Sequence, residues 1–490
     1  MNHREGLVFE EESTSMSAMT TLGGALQWIP GARLVGDPAT PFSRVHTDTR
    51  TLMAGDLFVA LQGEHHDAHD FLPAARGRGA VAAIARGGLE AAGLPGLEVP
   101  DTLAALGALA AGWRAQFALP LVAVAGSNGK TTVTQMIASI LRAACDAQAF
   151  ATEGNFNNEI GVPLTLLRLR AQHQRAVLEL GMNHPGEIAR LAAISRPTIA
   201  LVNNAQREHQ EFMATVEAVA VENAAVFAVL PEDGTAIFPY GDEFTSLWTD
   251  MAHDGGSRRC LTFGEHEDAD VSLQHAEWKQ GAWAVSIRTP VGAFDARLHI
   301  AGRHNVVNAL AATACALAAG VSLETIGVGL SAFEPVKGRS RASEIELPGG
   351  HAITLVDDSY NANPDSVIAA IDVLAALPGP RLLVLGDMGE VGDRSPEFHA
   401  EVGEHARERG IDSVYTLGDA TAHTVAAFAG ADGRHFKEFE ALSAAVLARL
   451  PQVGSVLVKG SRFMKMERVV QVVEQAQQQP QQQKEAGHDA

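Results

Sequence analysis

The densest group of chemically competent residues follows a buried apolar run, Leu121-Val-Ala-Val-Ala125. Small residues after such a run let backbone N–H groups approach phosphate oxygens, and a following helix N-terminus adds positive potential. Lys130 can then reach the β- and γ-phosphates of a nucleotide, and the hydroxyl of Thr131 can ligate Mg²⁺. The segment therefore predicts a strand, a phosphate-binding loop and a helix that bind ATP and Mg²⁺. The predicted ATP contacts are Gly126, Ser127, Asn128, Gly129, Lys130, Thr131 and Thr132.

The spacing of this loop is shorter than that of the usual phosphate-binding motif. Val124 stands where the first glycine of G-x-x-x-x-G-K-[ST] is expected. An ordinary glycine-rich turn is therefore the alternative interpretation. The order of strand, glycines, lysine and hydroxyl residues favours the phosphate loop.

Length and charge limit the function classes that the chain can serve. A chain of 490 residues is too long for one core, and a prior of about 150 residues per domain predicts roughly three domains. The 37 Lys and Arg residues against 58 Asp and Glu residues give a net charge of −21. This charge disfavours binding to nucleic acid and to anionic membranes. An anionic substrate must then be met by local positive charge or by Mg²⁺.

Other sequence features indicate a cytoplasmic protein. No apolar run approaches the roughly 18 residues of a membrane span, and the start of the chain is acidic and polar, unlike a signal peptide. The three cysteines, Cys145, Cys260 and Cys315, are widely spaced. We expect reduced thiols, a soluble protein and no membrane insertion.

Alternating apolar runs and helical patterns predict an α/β fold with three domains between two tails. The first domain is expected at 20–118, and a central phosphate-loop domain with a parallel sheet at 119–333. A doubly wound, Rossmann-like domain is expected at 334–473. Within them, Val216 to Leu230 is predicted as one long helical stretch, and Ser413–Leu417 and Ser455–Lys459 as buried strands. The ends, 1–19 and 474–490, lack the apolar residues needed to order themselves, and the second is rich in glutamine.

Several further blocks follow the phosphate loop in a fixed order. They are Thr152-Glu-Gly-Asn-Phe-Asn-Asn-Glu-Ile-Gly-Val-Pro163, Glu179-Leu-Gly-Met-Asn-His-Pro-Gly-Glu187, Leu201-Val-Asn-Asn204 with His209, Gly302-Arg-His-Asn-Val-Val-Asn308, Asp357-Asp-Ser-Tyr-Asn-Ala-Asn-Pro364, Gly386-Asp-Met-Gly-Glu390 and Val458-Lys-Gly-Ser461. Together with the phosphate loop they resemble the Mur ligases, from about Thr20 to Val473. The segment His46-Thr-Asp-Thr-Arg50 and the blocks after it resemble the UDP-binding domain of that family.

The resemblance implies a three-domain, ATP-dependent amide ligase. Within the family the blocks fit best the ligases that join D-alanyl-D-alanine to UDP-N-acetylmuramoyl-tripeptide. In that reaction the γ-phosphoryl group of ATP passes to the tripeptide carboxylate, and the amine of the dipeptide attacks the resulting acyl phosphate. The product would be UDP-N-acetylmuramoyl-pentapeptide, a peptidoglycan precursor. We expect a monomer with ATP and Mg²⁺ as cofactors.

The resemblance also assigns site residues. The implied catalytic residues are Lys130, Glu179 and His209. The implied metal ligands are Thr131, Glu179 and His209. The remaining implied ATP contacts are Asn305, Asn308, Arg339, Asp358 and Asn361. The implied substrate contacts are Thr47, Asp48, Thr49, Arg50, Asn157, Asn158, Asn183, His184, Lys459, Ser461 and Arg462.

Some of these residues have an independent argument and an alternative. Glu179 ends an apolar strand, where a carboxylate can hold Mg²⁺, although a solvated or capping glutamate would look the same. Asn157 and Asn158 are also ordinary turn formers. Asn305 and Asn308 lie on one helix face, where their amides could read adenine, although Asn305 could instead cap the helix.

The sequence is also compatible with three other functions. A Mur ligase that adds the third amino acid is disfavoured, because the chain has no Asp-Asn-Pro-Arg-like block. An enzyme like folylpolyglutamate synthase is disfavoured by the N-terminal block. A phosphate-loop ATPase or switch that forms no covalent product is the alternative from another class.

One position departs from the family pattern. Many Mur ligases carry, after the histidine block, a lysine that CO₂ carbamylates and that helps to organise a second Mg²⁺. Counting without gaps, Asn223 occupies that position here. An amide cannot form a carbamate. The neighbouring Glu222 is rotated by about 100° on a helix, so we expect its carboxylate to point elsewhere.

Overall fold

A computed structural model describes residues 18–63, 66–208, 211–213, 215–254, 256–430 and 432–477. The chain divides into two compact units. One unit comprises the chain up to Phe117 together with Glu159–Leu169, and the other comprises Ala118–Asn158 and the chain from Arg170 onward.

The first unit holds a small α/β domain, here called the N-terminal domain. Its elements are β1 (Thr20–Thr21), α1 (Leu22–Leu26), β2 (Arg33–Val35), β3 (Pro41–Phe42), β4 (Arg44–His46), β5 (Asp56–Val59), α2 (Leu72–Gly77), β6 (Ala82–Ala85), α3 (Leu89–Ala92), β7 (Gly96–Glu98) and α4 (Thr102–Arg114). The five-stranded sheet has the order β2-β7-β6-β5-β4. Its strands are parallel except for β2. Strands β1 and β3 form a separate antiparallel pair.

The second unit begins with the central domain, which carries the phosphate loop. Its elements, with helix α6 of the first unit in chain order, are β8 (Leu121–Ala125), α5 (Lys130–Cys145), β9 (Ala149–Ala151), α6 (Gly161–Leu166), β10 (Arg175–Glu179), α7 (Glu187–Ser195), β11 (Ile199–Val202), α8 (Val216–Ala224), β12 (Thr235–Pro239), α9 (Thr245–His253), β13 (Arg259–Gly264), β14 (Val271–Lys279), β15 (Ala282–Thr289), β16 (Gly292–Leu298), α10 (Arg303–Ala318) and α11 (Leu323–Ser331). The nine-stranded sheet has the order β16-β15-β14-β13-β12-β11-β8-β10-β9. It is parallel from β9 to β14, and β15 and β16 add an antiparallel edge.

The same unit continues into a second sheet, here called the C-terminal domain. Its elements are β17 (Arg341–Glu346), β18 (Ala352–Asp358), α12 (Pro364–Ala375), β19 (Arg381–Gly386), α13 (Ser395–Glu408), β20 (Ser413–Leu417), α14 (Ala422–Phe428), β21 (Gly433–Phe436), α15 (Phe439–Arg449), β22 (Ser455–Lys459) and α16 (Glu467–Ala476). The six strands lie in the order β17-β18-β22-β19-β20-β21. All are parallel except β17.

Side chains of the C-terminal sheet alternate between two apolar layers, as the pleat of a strand requires. Leu383 and Leu385 of β19 pack in the layer of α12 and α13. Leu382 and Val384 of the same strand pack in the layer of α15 and α16. Burial on both faces explains why this strand is a continuous apolar run, and it confirms the expected doubly wound arrangement.

The α/β fold class is confirmed, but some predicted element bounds shift. The stretch from Val216 to Leu230 is not one α-helix: α8 ends at Ala224, and a 3₁₀ helix follows over Ala225–Val229. Pro231 disfavours helical backbone at Leu230, so the end of the run tightens into 3₁₀ geometry. No helix within the described residues is long and apolar enough to cross a membrane. The expected domain boundaries stay predictions.

Candidate active site

The phosphate loop lies between β8 and α5, where backbone geometry demands glycine. Gly126 and Gly129 have φ values of +129° and +80°. A Cβ atom at Gly129 would lie 2.6 Å from Oδ1 of Asn308, and one at Gly126 would lie 2.9 Å from the backbone nitrogen of Asn203. Both glycines are therefore required by conformation and by close approach.

The structure also explains the short spacing of the motif. Val124 lies inside β8, is fully buried and has strand partners on both sides, Glu179 and Leu201. The position of the expected first glycine is thus sheet rather than loop. Here the turn begins at Gly126.

A set of asparagines surrounds the loop. The backbone N–H of Asn128 donates to Oδ1 of Asn204 over 2.9 Å, and Nδ2 of Asn203 donates to the carbonyl of Asn128 over 2.8 Å. Asn223 is 1 % exposed, and its Oδ1 accepts a hydrogen bond from the backbone N–H of Gly126 over 2.9 Å. The loop is thus held in place by side chains from the residues just after β11 and from helix α8.

Lys130 is the first residue of α5, and its ammonium group is held within the loop. Its Nζ donates to the carbonyl oxygens of Gly126 and Ser127 over 2.6 and 2.8 Å. It also forms an ion pair of 2.9 Å with Oε1 of Glu208, in which both side chains are mostly buried. The lysine thus lies where the motif predicts it, and the carboxylate of Glu208 lies beside it. Thr131 and Thr132 follow it in the first turn of α5.

Glu179 ends β10 beside the phosphate loop and is 3 % exposed. Nδ2 of Asn157 donates to its Oε1 over 2.8 Å, and its backbone N–H donates to the hydroxyl of Thr152. A buried carboxylate is normally paired or bound to a cation. Because the amide of Asn157 carries no charge, a cation at Glu179 would compensate the carboxylate. Asn158 follows at an exposed position.

The chemistry of these donors fits Mg²⁺, which prefers oxygen ligands and keeps several waters. Thr131 and Glu179 would supply a hydroxyl and a carboxylate oxygen. Among the described residues there is no group of three or more His, Cys, Asp and Glu side chains that could hold a metal. The third implied ligand, His209, lies outside the described residues.

Asn183 and His184 lie in the loop before α7. Their backbone N–H groups both donate to Oε2 of Glu187, over 2.7 and 3.2 Å. The His184 ring lies 4.5 Å from the ring of Phe212, between centroids. The carboxylate of Glu222 accepts from the backbone N–H groups of Gly186 and Ile188, so it is engaged at the start of α7.

Asn305 and Asn308 of α10 are 2 % and 6 % exposed and use their amides internally. Nδ2 of Asn308 donates to Oδ1 of Asn305 over 2.9 Å, and Nδ2 of Asn305 donates to the carbonyl of Ala301. Oδ1 of Asn308 accepts from Asn203 over 3.0 Å. The pair therefore lies beneath the phosphate loop, and its proposed contact with adenine stays a prediction.

Polar residues of the C-terminal domain gather at the carboxyl end of β18. Asp358 forms an ion pair of 2.6 Å with Lys459, whose Nζ also donates to the carbonyl of Asn361. Oδ1 of Asp358 accepts from the backbone N–H of Ser340. Arg339 lies over the ring of Tyr360, 3.9 Å from its centroid. The structure thus brings Arg339, Asp358, Asn361 and Lys459 together.

Ser461 and Arg462 follow β22 and differ in their accessibility. The Ser461 hydroxyl donates to the carbonyl of Ala362 and accepts from the N–H of Gly389, over 3.0 and 2.7 Å. The mostly exposed Arg462 side chain forms an ion pair of 3.0 Å with Glu467. Of the two, Arg462 is the better placed to meet a ligand, because its partner is also accessible.

The sequence did not reveal the contacts that link the two domains of this unit. Arg207 donates to Asp365 and Glu401 through its guanidinium group, over 2.6 to 3.0 Å. Hydrogen bonds with Glu401 and Asp365 raise the pKa of Arg207 above its usual value. Asn128 of the loop exchanges amide hydrogen bonds with Asn363, the N-cap of α12. These pairings join residues more than 150 positions apart, so no local pattern could identify them.

The implied UDP contacts lie in the N-terminal domain, directly after β4. Asp48 caps a short 3₁₀ helix, Thr49–Thr51, and forms an exposed ion pair of 2.7 Å with Arg50. The hydrogen bonds from Arg50 lower the pKa of Asp48 to about 2. Thr47 and Thr49 flank Asp48 and are half-buried. This short segment therefore presents hydroxyl groups and a carboxylate–guanidinium pair.

Comparison with known proteins places this fold and site in one class. Residues 41–114 match the Mur ligase family catalytic domain, residues 124–316 the Mur ligase middle domain, and residues 344–462 the glutamate ligase domain of Mur ligases. The chain belongs to the Mur ligase family.

Individual relatives carry a more specific name. The Escherichia coli protein named UDP-N-acetylmuramoyl-tripeptide–D-alanyl-D-alanine ligase is 40 % identical over 467 residues, which cover 94 % of this chain and 99 % of that protein. A crystal structure of MurF from Acinetobacter baumannii is similar with a TM-score of 0.85 and 35 % identity. The match covers 93 % of this chain and 99 % of the Acinetobacter chain. The structure of the Thermotoga maritima MurF ligase in complex with ADP is similar with a TM-score of 0.79 and 26 % identity. The match covers 89 % of this chain and 98 % of that chain.

Proposed function

We propose that this chain joins D-alanyl-D-alanine to UDP-N-acetylmuramoyl-tripeptide and converts one ATP to ADP and phosphate for each amide bond formed. One observation carries the proposal: the phosphate-loop lysine and the buried carboxylate of Glu179 meet at the same edge of the central sheet. The relatives that match nearly the full chain carry the name of that ligase. The product, UDP-N-acetylmuramoyl-pentapeptide, is a precursor of peptidoglycan.

The reaction proceeds in two substitutions. An oxygen of the tripeptide carboxylate attacks the γ-phosphorus of ATP, the bond to the β-phosphate oxygen breaks, and ADP leaves. The neutral amine of the dipeptide then attacks the carbonyl carbon of the acyl phosphate. The amine loses a proton, the amide forms, and inorganic phosphate leaves with the electron pair of the broken C–O bond.

The first step brings an anion toward an anion, so it depends on positioning and positive charge more than on a protein nucleophile. Lys130 provides a fixed ammonium group for the β- and γ-phosphates. Thr131, Glu179 and His209 would hold Mg²⁺, which neutralises phosphate charge when bound. Asn157 keeps the Glu179 carboxylate oriented through the 2.8 Å hydrogen bond described above.

The other site residues have proposed roles in binding. Arg339, Asp358 and Asn361 would contact ATP from the C-terminal domain, with Arg339 held over the ring of Tyr360. The peptide parts of the substrates would meet the set Asn157, Asn158, Asn183, His184, Lys459, Ser461 and Arg462. Because Lys459 is paired with Asp358 and Ser461 is doubly hydrogen-bonded, both must exchange partners to bind a carboxylate. Thr47, Asp48, Thr49 and Arg50 would bind the UDP group.

The substrates of this proposal are water-soluble nucleotides and a dipeptide. We therefore infer a cytoplasmic enzyme, and we also propose that it acts as a monomer. Its net charge of −21 disfavours nucleic acid as a partner.

A test separates this ligase from an ATPase switch. ADP release is measured with ATP and Mg²⁺ alone, with either the UDP-tripeptide or the dipeptide added, and with both. The ligase releases ADP at its full rate only when both are present, because the amine is needed to discharge the acyl phosphate. Full turnover with neither substrate would contradict the proposal.

A further inference from the structure

An acidic side chain lies next to Lys130 in the phosphate loop. Oε1 of Glu208 lies 2.9 Å from Nζ, and the carbonyl oxygens of Gly126 and Ser127 are the other two acceptors. An ammonium group has three protons, so these three acceptors account for its donor capacity. A phosphate that is to bind Lys130 must therefore replace at least one of them.

Glu208 is the acceptor that a phosphate would replace. The two carbonyl oxygens belong to the loop itself and stay beside the lysine, whereas Glu208 reaches it from the segment after β11. Its carboxylate is anionic, as a phosphate is, so the two repel each other at this distance. The side chains of Lys130 and Glu208 are 12 % and 13 % exposed, which leaves the pair weakly screened by solvent.

We propose that Glu208 is a positioning residue that pairs with Lys130 in the phosphate loop and releases it when a nucleotide phosphate binds. This inference rests on the proposed function, since it concerns the ATP site of the ligase. Glu208 acts as an internal competitor of the nucleotide phosphates. The ion pair compensates the charge of a mostly buried lysine. It also makes nucleotide binding weaker than it would be in the same loop without Glu208.

The neighbouring residue, Arg207, contacts the C-terminal domain. Arg207 is anchored by Asp365 at the start of α12 and by Glu401 of α13. Residues 207 and 208 are adjacent, so one short segment carries both the partner of Lys130 and the anchor to the C-terminal domain.

The experiment compares Glu208→Gln with Glu211→Gln in the full chain. Glutamine keeps the size of glutamate and removes its charge. Glu211 is exposed and three residues away, so its variant controls for the loss of one negative charge. Dissociation constants are measured by calorimetry for ADP, inorganic pyrophosphate and AMP in EDTA, so that neither Mg²⁺ nor turnover contributes. Thermal unfolding midpoints verify that both variants fold.

The proposal predicts that Glu208→Gln binds ADP and pyrophosphate about tenfold more tightly than the wild type, within the usual range of coupling between sites. AMP affinity stays the same, because AMP has no β-phosphate for Lys130, and Glu211→Gln behaves as the wild type. Equal or weaker binding of ADP by Glu208→Gln would overturn the inference and leave the ligase function standing. An equal gain in Glu211→Gln would also overturn it. A wild type that binds no ADP even when Mg²⁺ is supplied would overturn the proposed function as well.

Discussion

Val124 and Glu179 are direct partners in the register of the parallel strands β8 and β10. Two residues after Val124 the chain turns into the phosphate loop at Gly126, while β10 ends at Glu179. Parallel strands end at the same edge of a sheet, which is where α/β folds bind ligands. The strand register thus places a buried carboxylate beside the loop that is proposed to bind the triphosphate.

Replacement of Lys130 tests the role of the loop. We expect Lys130→Ala to lower the ligation rate by about a thousandfold or more, because one charge contact in the transition state contributes several kcal/mol. Binding of the UDP-substrate, assigned to the N-terminal domain, should change little. Ligation rates and calorimetric titration with UDP-tripeptide measure the two effects. Lys279→Ala, at a surface ion pair with Glu277, is the control. Ligation within about tenfold of the wild type would remove the loop from the mechanism.

Asn223 leads to a prediction about CO₂. Its amide binds the backbone N–H of Gly126 and cannot form a carbamate, and the carboxylate of Glu222 is engaged at the start of α7. We expect ligation in CO₂-stripped buffer to proceed at the same rate with and without added bicarbonate, at fixed pH and ionic strength. A several-fold rescue by bicarbonate, or a carbamate on any lysine of the metal site, would show that Asn223 does not occupy the lysine position.

The anchor formed by Arg207 predicts a conformational effect. Arg207→Met removes the contacts to Asp365 and Glu401, so the C-terminal domain should be held less firmly against the central domain. We expect a larger radius of gyration by X-ray scattering without ligands and a KM for ATP raised by about tenfold, since a domain that must close loses preorganisation. Arg434→Met breaks an ion pair with Asp432 within the C-terminal domain and serves as the control. An unchanged radius and KM would show that Arg207 does not anchor the domain.

Part of this architecture could be predicted from the sequence. Two strands have the predicted bounds, Ser413–Leu417 and Ser455–Lys459. Their bounds could be predicted because a strand that is buried on both faces has a continuous apolar sequence. The apolar pattern of the run from Val216 does not distinguish an α-helix from a 3₁₀ helix. The sequence therefore did not show where the run changes to 3₁₀ geometry. The pairings of Glu208 with Lys130 and of Arg207 with Asp365 depend on the tertiary fold, so only the structure shows them.

His399 gives the stability of the protein a pH dependence. The ring is fully buried; Nδ1 donates to the carbonyl of Ser395, and Nε2 accepts from the backbone N–H of Met388. Burial lowers the pKa of His399, so the unfolded chain takes up a proton first as the pH falls through about 6.5. Its stabilising contribution is present above that pH and is lost below it, by at most about 1.4 kcal/mol per pH unit.

We therefore expect the free energy of unfolding in urea to fall between pH 7.5 and 5.5, and to fall less in His399→Gln. His275→Gln, at an exposed position of β14, is the control. An identical pH dependence in the wild type and in His399→Gln would contradict this assignment.

The central claim is tested most directly by mass spectrometry of the reaction product. The protein is incubated with ATP, Mg²⁺, D-alanyl-D-alanine and UDP-N-acetylmuramoyl-tripeptides that end in either meso-diaminopimelate or lysine. We predict a UDP-N-acetylmuramoyl-pentapeptide, formed with one ADP and one phosphate per molecule and only when all substrates are present. An unchanged tripeptide during ATP turnover, or a product that carries a single added amino acid from free amino acids, would contradict the assignment of this chain as a dipeptide ligase.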